Sequence, residues 1–220
     1  MKIRVLIPGA IVLCAATLAV GQSRIPKSDN QSWNDVQLTV PMTKQVDFLA
    51  QVTLRLGDNI TQSVDQRWGV GFAFKLNKYF TLTPFYFHRE ARPPNGPHEH
   101  EDRITLGGVV RFPAGKFTIS DRNWFEHRWR VPQRDAWRYR NRIQIEHPFK
   151  INKQKFTWFV SDEIFHDWSL DRWPRNRAAA GITHPLSKHV TLELYYTRQN
   201  DGFTRPGDLN IIWTAWRIKL

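Results

Sequence analysis

Polar and apolar residues alternate along much of this chain with a period of two, which is the period of a β-strand. The clearest case is residues 137–146, where Arg138, Arg140 and Arg142 share one face. The opposite face is apolar and led by aromatic residues: Trp137, Tyr139, Asn141, Ile143 and Ile145. Such a strand belongs to a sheet whose apolar side meets either a protein core or lipid.

The same alternation recurs in segments spread over the whole chain. They are residues 46–56, 67–76, 103–112, 190–197 and 211–220. Three further segments, 80–88, 117–130 and 156–166, alternate less cleanly, and their facing is left open. No segment after the N-terminus has the pattern of an amphipathic helix, so the sequence predicts an all-β protein.

The links between these segments alternate in length. The short ones are 41–44, 76–79, 113–116, 151–153 and 185–188, and the long polar ones are 57–66, 89–101, 131–136, 167–174 and 199–208. Outer-membrane barrels have short periplasmic turns and long extracellular loops. The sequence therefore predicts a single antiparallel up-and-down transmembrane β-barrel.

The number of strands is harder to predict. Eleven segments have strand character, whereas single-chain bacterial barrels usually close with an even number. Residues 22–32 are too polar for an ordinary lipid-facing strand. They could form a poor twelfth strand or thread the lumen, or one apparent strand could be a loop. We favour twelve strands, with ten as the alternative.

The N-terminus has the features of a secretory signal peptide. Lys2 and Arg4 precede an apolar run over residues 5–20, and residues 19–21 are small enough for cleavage. We expect a signal peptide at 1–21, a polar segment at 22–32 and the barrel at 33–220. Cys14, the only cysteine, falls within the signal peptide. This export pattern and the barrel together predict an outer-membrane location.

Composition agrees with a barrel. A formal net charge of +12 and a mean hydropathy of −0.51 exclude a bundle of transmembrane helices. Ten tryptophans are many for 220 residues, and several stand at the edges of apolar runs. We expect an aromatic girdle at the membrane interfaces, formed by Trp33, Trp68, Trp129, Trp137 and Trp216. Tryptophans filling the core of a soluble sandwich are the alternative.

A function should be sought among the charges of the lumen. The expected network contains Arg122, Glu126, Arg128, Arg138, Arg140, Arg142, Glu163, Arg175 and Arg177. Charges in a narrow barrel are costly unless they are paired, so cross-strand ion pairs that brace the barrel are the first interpretation. The second is an electropositive passage or pocket for small anionic solutes or lipid head groups.

Two other classes of function compete with these. A barrel enzyme acting on lipid could use His88, Ser161, Glu163 or His166, but their spacing marks no nucleophile with its base. A soluble exported protein could bind polyanions other than nucleic acid through its basic surface. We therefore predict no catalytic residues, no cofactor and no nucleic-acid partner. The expected partners are outer-membrane lipid and, through the C-terminal strand, the barrel-assembly machinery.

The loop over residues 97–102 contains two histidines flanked by carboxylates. His98 and His100 could bind a metal ion weakly, but a solvated extracellular loop explains the pattern as well. We assign no metal site from the sequence.

Several short motifs resemble a bacterial family catalogued as domain of unknown function 2490. They are LRLGDN at 54–59, SDRNWFEHR at 120–128, RYRNR at 138–142, DEIF at 162–165 and YYTRQ at 195–199, with Trp33 before them. Each motif is weak alone, and their order carries the resemblance over residues 33–220. The resemblance implies an outer-membrane type of barrel, and it implies no activity, substrate or catalytic residue. The chain departs from the usual assembly signal by ending on Leu220 instead of an aromatic residue.

Overall fold

The structure, a computed structural model, describes residues 27–93 and 96–220. The predicted signal peptide and residues 22–26 of the polar segment lie outside the described residues. The strands are β1 (Ser28–Pro41), β2 (Val46–Gly57), β3 (Gln62–Lys75), β4 (Phe80–Ala91), β5 (Glu99–Ala114), β6 (Phe117–Val131), β7 (Ala136–Ile151), β8 (Gln154–Asp167), β9 (Arg172–Pro185), β10 (Val190–Asp201) and β11 (Asp208–Lys219). No helix in the described part of the chain has the length and apolarity to cross a membrane.

The strands form one closed barrel in which sequence neighbours pair antiparallel. Closure comes from β1 and β11, which pair in parallel from Ser28 opposite Asp208 to Thr39 opposite Lys219. We call the end with links 42–45, 76–79, 115–116, 152–153 and 186–189 the lower end. The upper end has links 58–61, 92–98, 132–135, 168–171 and 202–207.

The predicted count of twelve strands, or alternatively ten, is wrong for the described residues, which form eleven. An even count is required when every neighbouring pair is antiparallel, and the parallel pair β1–β11 removes that requirement. The polar segment predicted to precede the barrel also ends too late. Residues 28–32 are the first part of β1, because their backbone groups pair with β11.

The facing predicted from the alternation is confirmed. On β7, Trp137 and Ile143 are 55% and 51% exposed on the outer face, whereas Arg138 and Arg140 are buried in the lumen. On β11, Ile212 lies outside and Ile211 is fully buried inside. The outer face is therefore apolar over much of its area, and the polar face lines the interior.

The upper links are shorter than the sequence predicted, because the strands continue into them. Residues 99–101, assigned to a loop, are the first three residues of β5 and pair with β4. The upper part of β5 carries charged side chains on both faces, among them Glu101 inside and Asp102 outside. The alternation of apolar and polar residues therefore does not predict that this part of the chain is a strand.

Inward glycines make room for aromatic rings in the lumen. A Cβ on Gly181 of β9 would lie 2.1 Å from the Cβ of Tyr195, its partner on β10. A Cβ on Gly69 of β3 would lie 2.4 Å from the ring of Phe85 on β4. Only glycine allows these rings to lie across the neighbouring strand.

Candidate functional site in the lumen

Glu126 is the most buried carboxylate of the lumen, with a relative exposure of 0%. It lies on β6, between β5 and β7, and both neighbours direct arginines towards it. Its carboxylate oxygens lie 2.5 Å from Arg138, 3.0 Å from Arg140 and 3.3 Å from Arg103. One carboxylate therefore holds three guanidinium groups together, which is the cross-strand pairing expected from the sequence.

Glu163 on β8 plays the same role on the other side of β7. Arg140 donates to its Oε1 at 2.7 Å, and Arg122 donates to the same oxygen. Arg177 of β9 lies 3.9 Å from the second oxygen. Arg140 thus bridges Glu126 and Glu163, and the two clusters form one network.

Two further carboxylates extend this network towards the upper end. Glu101 lies 2.5 Å from Arg103 and 2.7 Å from Arg128. Asp65 on β3 accepts hydrogen bonds from Arg67 and Arg89, both at 2.5 Å. Buried charges are tolerated when they are paired in this way, so the network braces the barrel from β2 to β9.

Aromatic rings contact the same guanidinium groups. The guanidinium carbon of Arg55 lies 3.3 Å from the ring centroid of Trp33, and that of Arg177 lies 4.9 Å from it. The ring of Phe165 lies 4.7 Å from Arg140 and 4.9 Å from Arg177. Desolvated cation–π contacts hold these arginines inside the barrel in addition to their ion pairs.

Two cavities lie along the lumen formed by the described residues, an upper one of about 650 Å³ and a lower one of about 540 Å³. Five residues line both cavities, and all of them are arginines. We call them the arginine partition: Arg55, Arg67, Arg103, Arg140 and Arg177. Any solute that moved from one cavity to the other would pass these guanidinium groups.

Both cavities have more cationic than anionic side chains. Eleven arginines and seven carboxylates line the upper cavity, and nine arginines and four carboxylates line the lower one. The buried Nε atoms of Arg55, Arg122 and Arg142 have no hydrogen-bond partner among the described residues. The lumen therefore offers free donors and positive charge, which suit an anion.

All nine residues predicted for the charge network lie on inward faces of the barrel. Most of them are joined by the contacts described above, and Arg175 pairs with Asp201 at 2.6 Å. Arg142 differs from the others, because within the described residues no carboxylate lies within 4.0 Å of it. It faces the lower cavity beside Gln144 and Glu146.

The predicted girdle needs one correction. Trp33 is only 1% exposed and packs inside the lumen against Leu209, Ile211 and Trp213. Trp33 shares the inward face of β1 with Asp29, Gln31 and Asp35. The other four tryptophans, Trp68, Trp129, Trp137 and Trp216, are exposed on the outer face. Their role at a membrane interface stays a prediction.

The residues considered for catalysis are not brought together. Ser161 and Glu163 face the lower cavity, and Glu163 is held by arginines. His88 and His166 project from the outer face, where His88 stacks on Trp68 and His166 packs against Trp168 and Trp173.

Comparison of the sequence with protein families gives a match to "Protein of unknown function (DUF2490)" over residues 30–210. The chain belongs to this family. The family suggested by the short motifs is thus confirmed. No curated protein matches the DUF2490 chain.

Solved structures share the barrel with the DUF2490 chain at low identity. An anion-selective porin from Comamonas acidovorans is 16% identical with a TM-score of 0.39, over 80% of this chain and 54% of the porin. The chain thus spans about half the length of that porin. The NanC porin is 13% identical with a TM-score of 0.49, over 86% and 96% of the two chains. LpxR from Salmonella typhimurium is 7% identical with a TM-score of 0.48, over 79% and 83%. These likenesses concern the fold alone.

Sequence reasoning missed two carboxylates that matter in the DUF2490 lumen, Glu101 and Asp65. Both lie in segments that the sequence assigned to loops. A signal was present, since Glu101 is two residues before Arg103 and Asp65 is two residues before Arg67. Extending the inward-facing positions of β3 and β5 by one more alternate residue, beyond Arg67 and Arg103, would have identified both carboxylates.

Proposed function

We propose that the protein resides in the outer membrane, exported by a cleaved signal peptide at residues 1–21. The closed barrel with an apolar outer face supports this location, because only closed barrels and helices satisfy all backbone groups in lipid. The outward Trp216 and Ile218 of β11 fit the C-terminal strand by which the barrel-assembly machinery would recognise the chain.

The distribution of lysines supports the same location. Among the described residues every lysine except Lys27 lies at the lower end: Lys44, Lys75, Lys78, Lys116, Lys150, Lys153, Lys155, Lys188 and Lys219. All but Lys75, which pairs with Asp47 at 2.7 Å, are exposed. Lysines beside an apolar surface extend their charge to the head-group region. We propose outer-membrane lipid as their partner.

Within that membrane, we propose that the lumen admits small anions and favours them over cations. The observation that carries this proposal is the arginine partition, through which all exchange between the two cavities must pass. Fixed cationic groups along a narrow passage attract anions and repel cations. The same ion pairs that brace the barrel also place these guanidinium groups.

Planar-bilayer recording with a salt gradient tests this proposal. We expect a reversal potential that indicates anion preference, and we expect Arg142→Glu to reduce or reverse it. Arg142 is the suitable position because no described carboxylate lies within 4.0 Å of it, so its replacement breaks no ion pair. Arg134→Glu, an equal charge change in the exposed link 132–135, is the matched control and should leave selectivity unchanged.

Two results would contradict the anion proposal. Absence of current from the folded wild-type protein would mean that the ion-pair network only stabilises the barrel and fills its lumen. Equal selectivity of the wild type and Arg142→Glu would show that the lumen charges do not act on the ions.

We further propose that the role is not enzymatic. The separation of His88 and His166 from Ser161 and Glu163 supports this, since a nucleophile and its base must lie within hydrogen-bond reach. The outer-membrane lipids of a deletion strain should therefore match those of the parent. An altered acylation pattern that the plasmid-borne gene restores would argue for an enzyme instead.

A further inference from the structure

A cluster of histidines and carboxylates lies on the outer face of the β4–β5 hairpin, at the upper end. His88 and Glu90 alternate on β4, and His98, His100 and Asp102 alternate along the chain entering β5. The register places Glu90 opposite His100 and His88 opposite Asp102. All five side chains therefore share one face.

Three of these residues offer ligand atoms that converge on one point. Glu90 Oε1 lies 2.6 Å from His100 Nδ1, and Glu90 Oε2 lies 3.7 Å from His98 Nε2. The potential ligand atoms of the three residues all lie within 4.8 Å of one another. In a tetrahedral zinc site with bonds of about 2.0–2.2 Å, ligand atoms are about 3.3–3.6 Å apart. Small side-chain movements would bring the three residues to that spacing.

A second set of hydrogen bonds holds Glu90 in place. His88 Nε2 lies 3.0 Å from Glu90 Oε1, and the other ring nitrogen of His88 lies 2.9 Å from Asp102. The hydroxyl of Tyr86 donates to the same Asp102 oxygen at 2.5 Å. Metal-binding carboxylates commonly have such supporting partners, which fix their orientation.

A hydrogen bond from Arg92 shows which nitrogen of His98 is free of a proton. Its Nε donates to His98 Nε2 at 2.7 Å, so that nitrogen accepts a hydrogen bond and carries a lone pair. The same lone pair is the one a metal ion requires. Arg92 therefore competes with a metal ion for His98 and places a positive charge beside the site.

We propose that Glu90, His98 and His100 bind a divalent metal ion of the zinc type. Two imidazoles and one carboxylate are a donor set that Zn²⁺ accepts, with one position left open. The ion would join the end of β4 to the start of β5 across the link 92–98. Nothing in this site depends on conduction through the lumen, so the metal proposal and the anion proposal can be tested separately.

Calorimetric titration with Zn²⁺ alone tests the site, using the full mature chain folded in detergent and freed of any histidine tag. We expect one Zn²⁺ per barrel, and at least tenfold weaker binding by His100→Ala and Glu90→Gln. Arg92→Gln should bind Zn²⁺ more tightly than the wild type, because it removes both the competing donor and the charge. His147→Ala is the matched control, since His147 lies at the lower end and bonds to the carbonyl of Lys116.

Folding of every variant is checked by the shift in gel migration on boiling, so that loss of binding is not confused with loss of the barrel. Absence of Zn²⁺ binding by the folded wild type would overturn the proposal. Binding that survives in both His98→Ala and His100→Ala would also overturn it, because the ion would then lie elsewhere.

Discussion

The guanidinium carbon of Arg55 lies 3.3 Å from the ring centroid of Trp33, on the neighbouring strand of the barrel. Arg177 approaches the same ring to 4.9 Å, so Trp33 contacts two members of the arginine partition. Trp33 is almost fully buried although it lies in a lumen lined by charges. Its ring therefore stabilises two cations that would otherwise repel each other.

Replacement of Trp33 by alanine should therefore destabilise the barrel and enlarge the upper cavity that Trp33 lines. Removal of a buried aromatic side chain costs about 3–5 kcal/mol, and two arginines lose a cation–π contact. We expect a lower free energy of unfolding in urea and a larger single-channel conductance. Trp137→Ala, which removes an exposed ring from the outer face, should leave conductance unchanged. Unaltered stability of Trp33→Ala would contradict the buried position.

Glu126→Gln should be among the most damaging single changes in the lumen. It retains the shape of the side chain but leaves Arg103, Arg138 and Arg140 without their shared carboxylate. Breaking a buried pair from one side costs about 3–5 kcal/mol, and anion preference should rise with the added net charge. Glu193→Gln is the comparison, because Glu193 is partly exposed and, among the described residues, forms an ion pair with Arg217 only. Equal losses of stability in the two variants would refute the central role of Glu126.

Gly181→Ala tests the packing of aromatic rings against inward glycines. The added Cβ would meet the Cβ of Tyr195 at 2.1 Å, and backbone atoms block any retreat. We expect a loss of about 1–3 kcal/mol of unfolding free energy, as for other overpacked sites. Gly202→Ala should be neutral, since nothing lies within 4 Å of a Cβ there. A denaturant titration of both variants makes the comparison.

Single cysteines can determine which end of the barrel faces the cell exterior. Phe203 at the upper end and Met42 at the lower end are both exposed. In intact cells a membrane-impermeant maleimide should label Phe203→Cys and should label Met42→Cys only after the outer membrane is opened. The opposite pattern would show that the lower end faces the cell exterior. Labelling of both cysteine variants in a soluble periplasmic fraction would exclude the membrane location.

The two faces of each clear strand could be predicted from sequence, and so could the central ion pairs. The alternation around Arg138, Arg140 and Arg142 places these arginines inside, between the strands that carry Glu126 and Glu163. Facing is a local property, because successive side chains of any strand point to opposite sides. The upper part of β5, with Glu101, escaped prediction because charged residues occupy both of its faces.

Sequence alone thus determined an all-β chain with an apolar face, an arginine-rich face and a family membership carried by short motifs. Tertiary structure decided how the barrel closes, since the parallel pairing of β1 with β11 joins residues about 180 positions apart. That closure brings Arg177 of β9 to the ring of Trp33, which Arg55 contacts from the adjacent strand β2. The closure arises from hydrogen bonds between two strands at opposite ends of the barrel sequence, and the alternation within each strand does not reveal which strands pair.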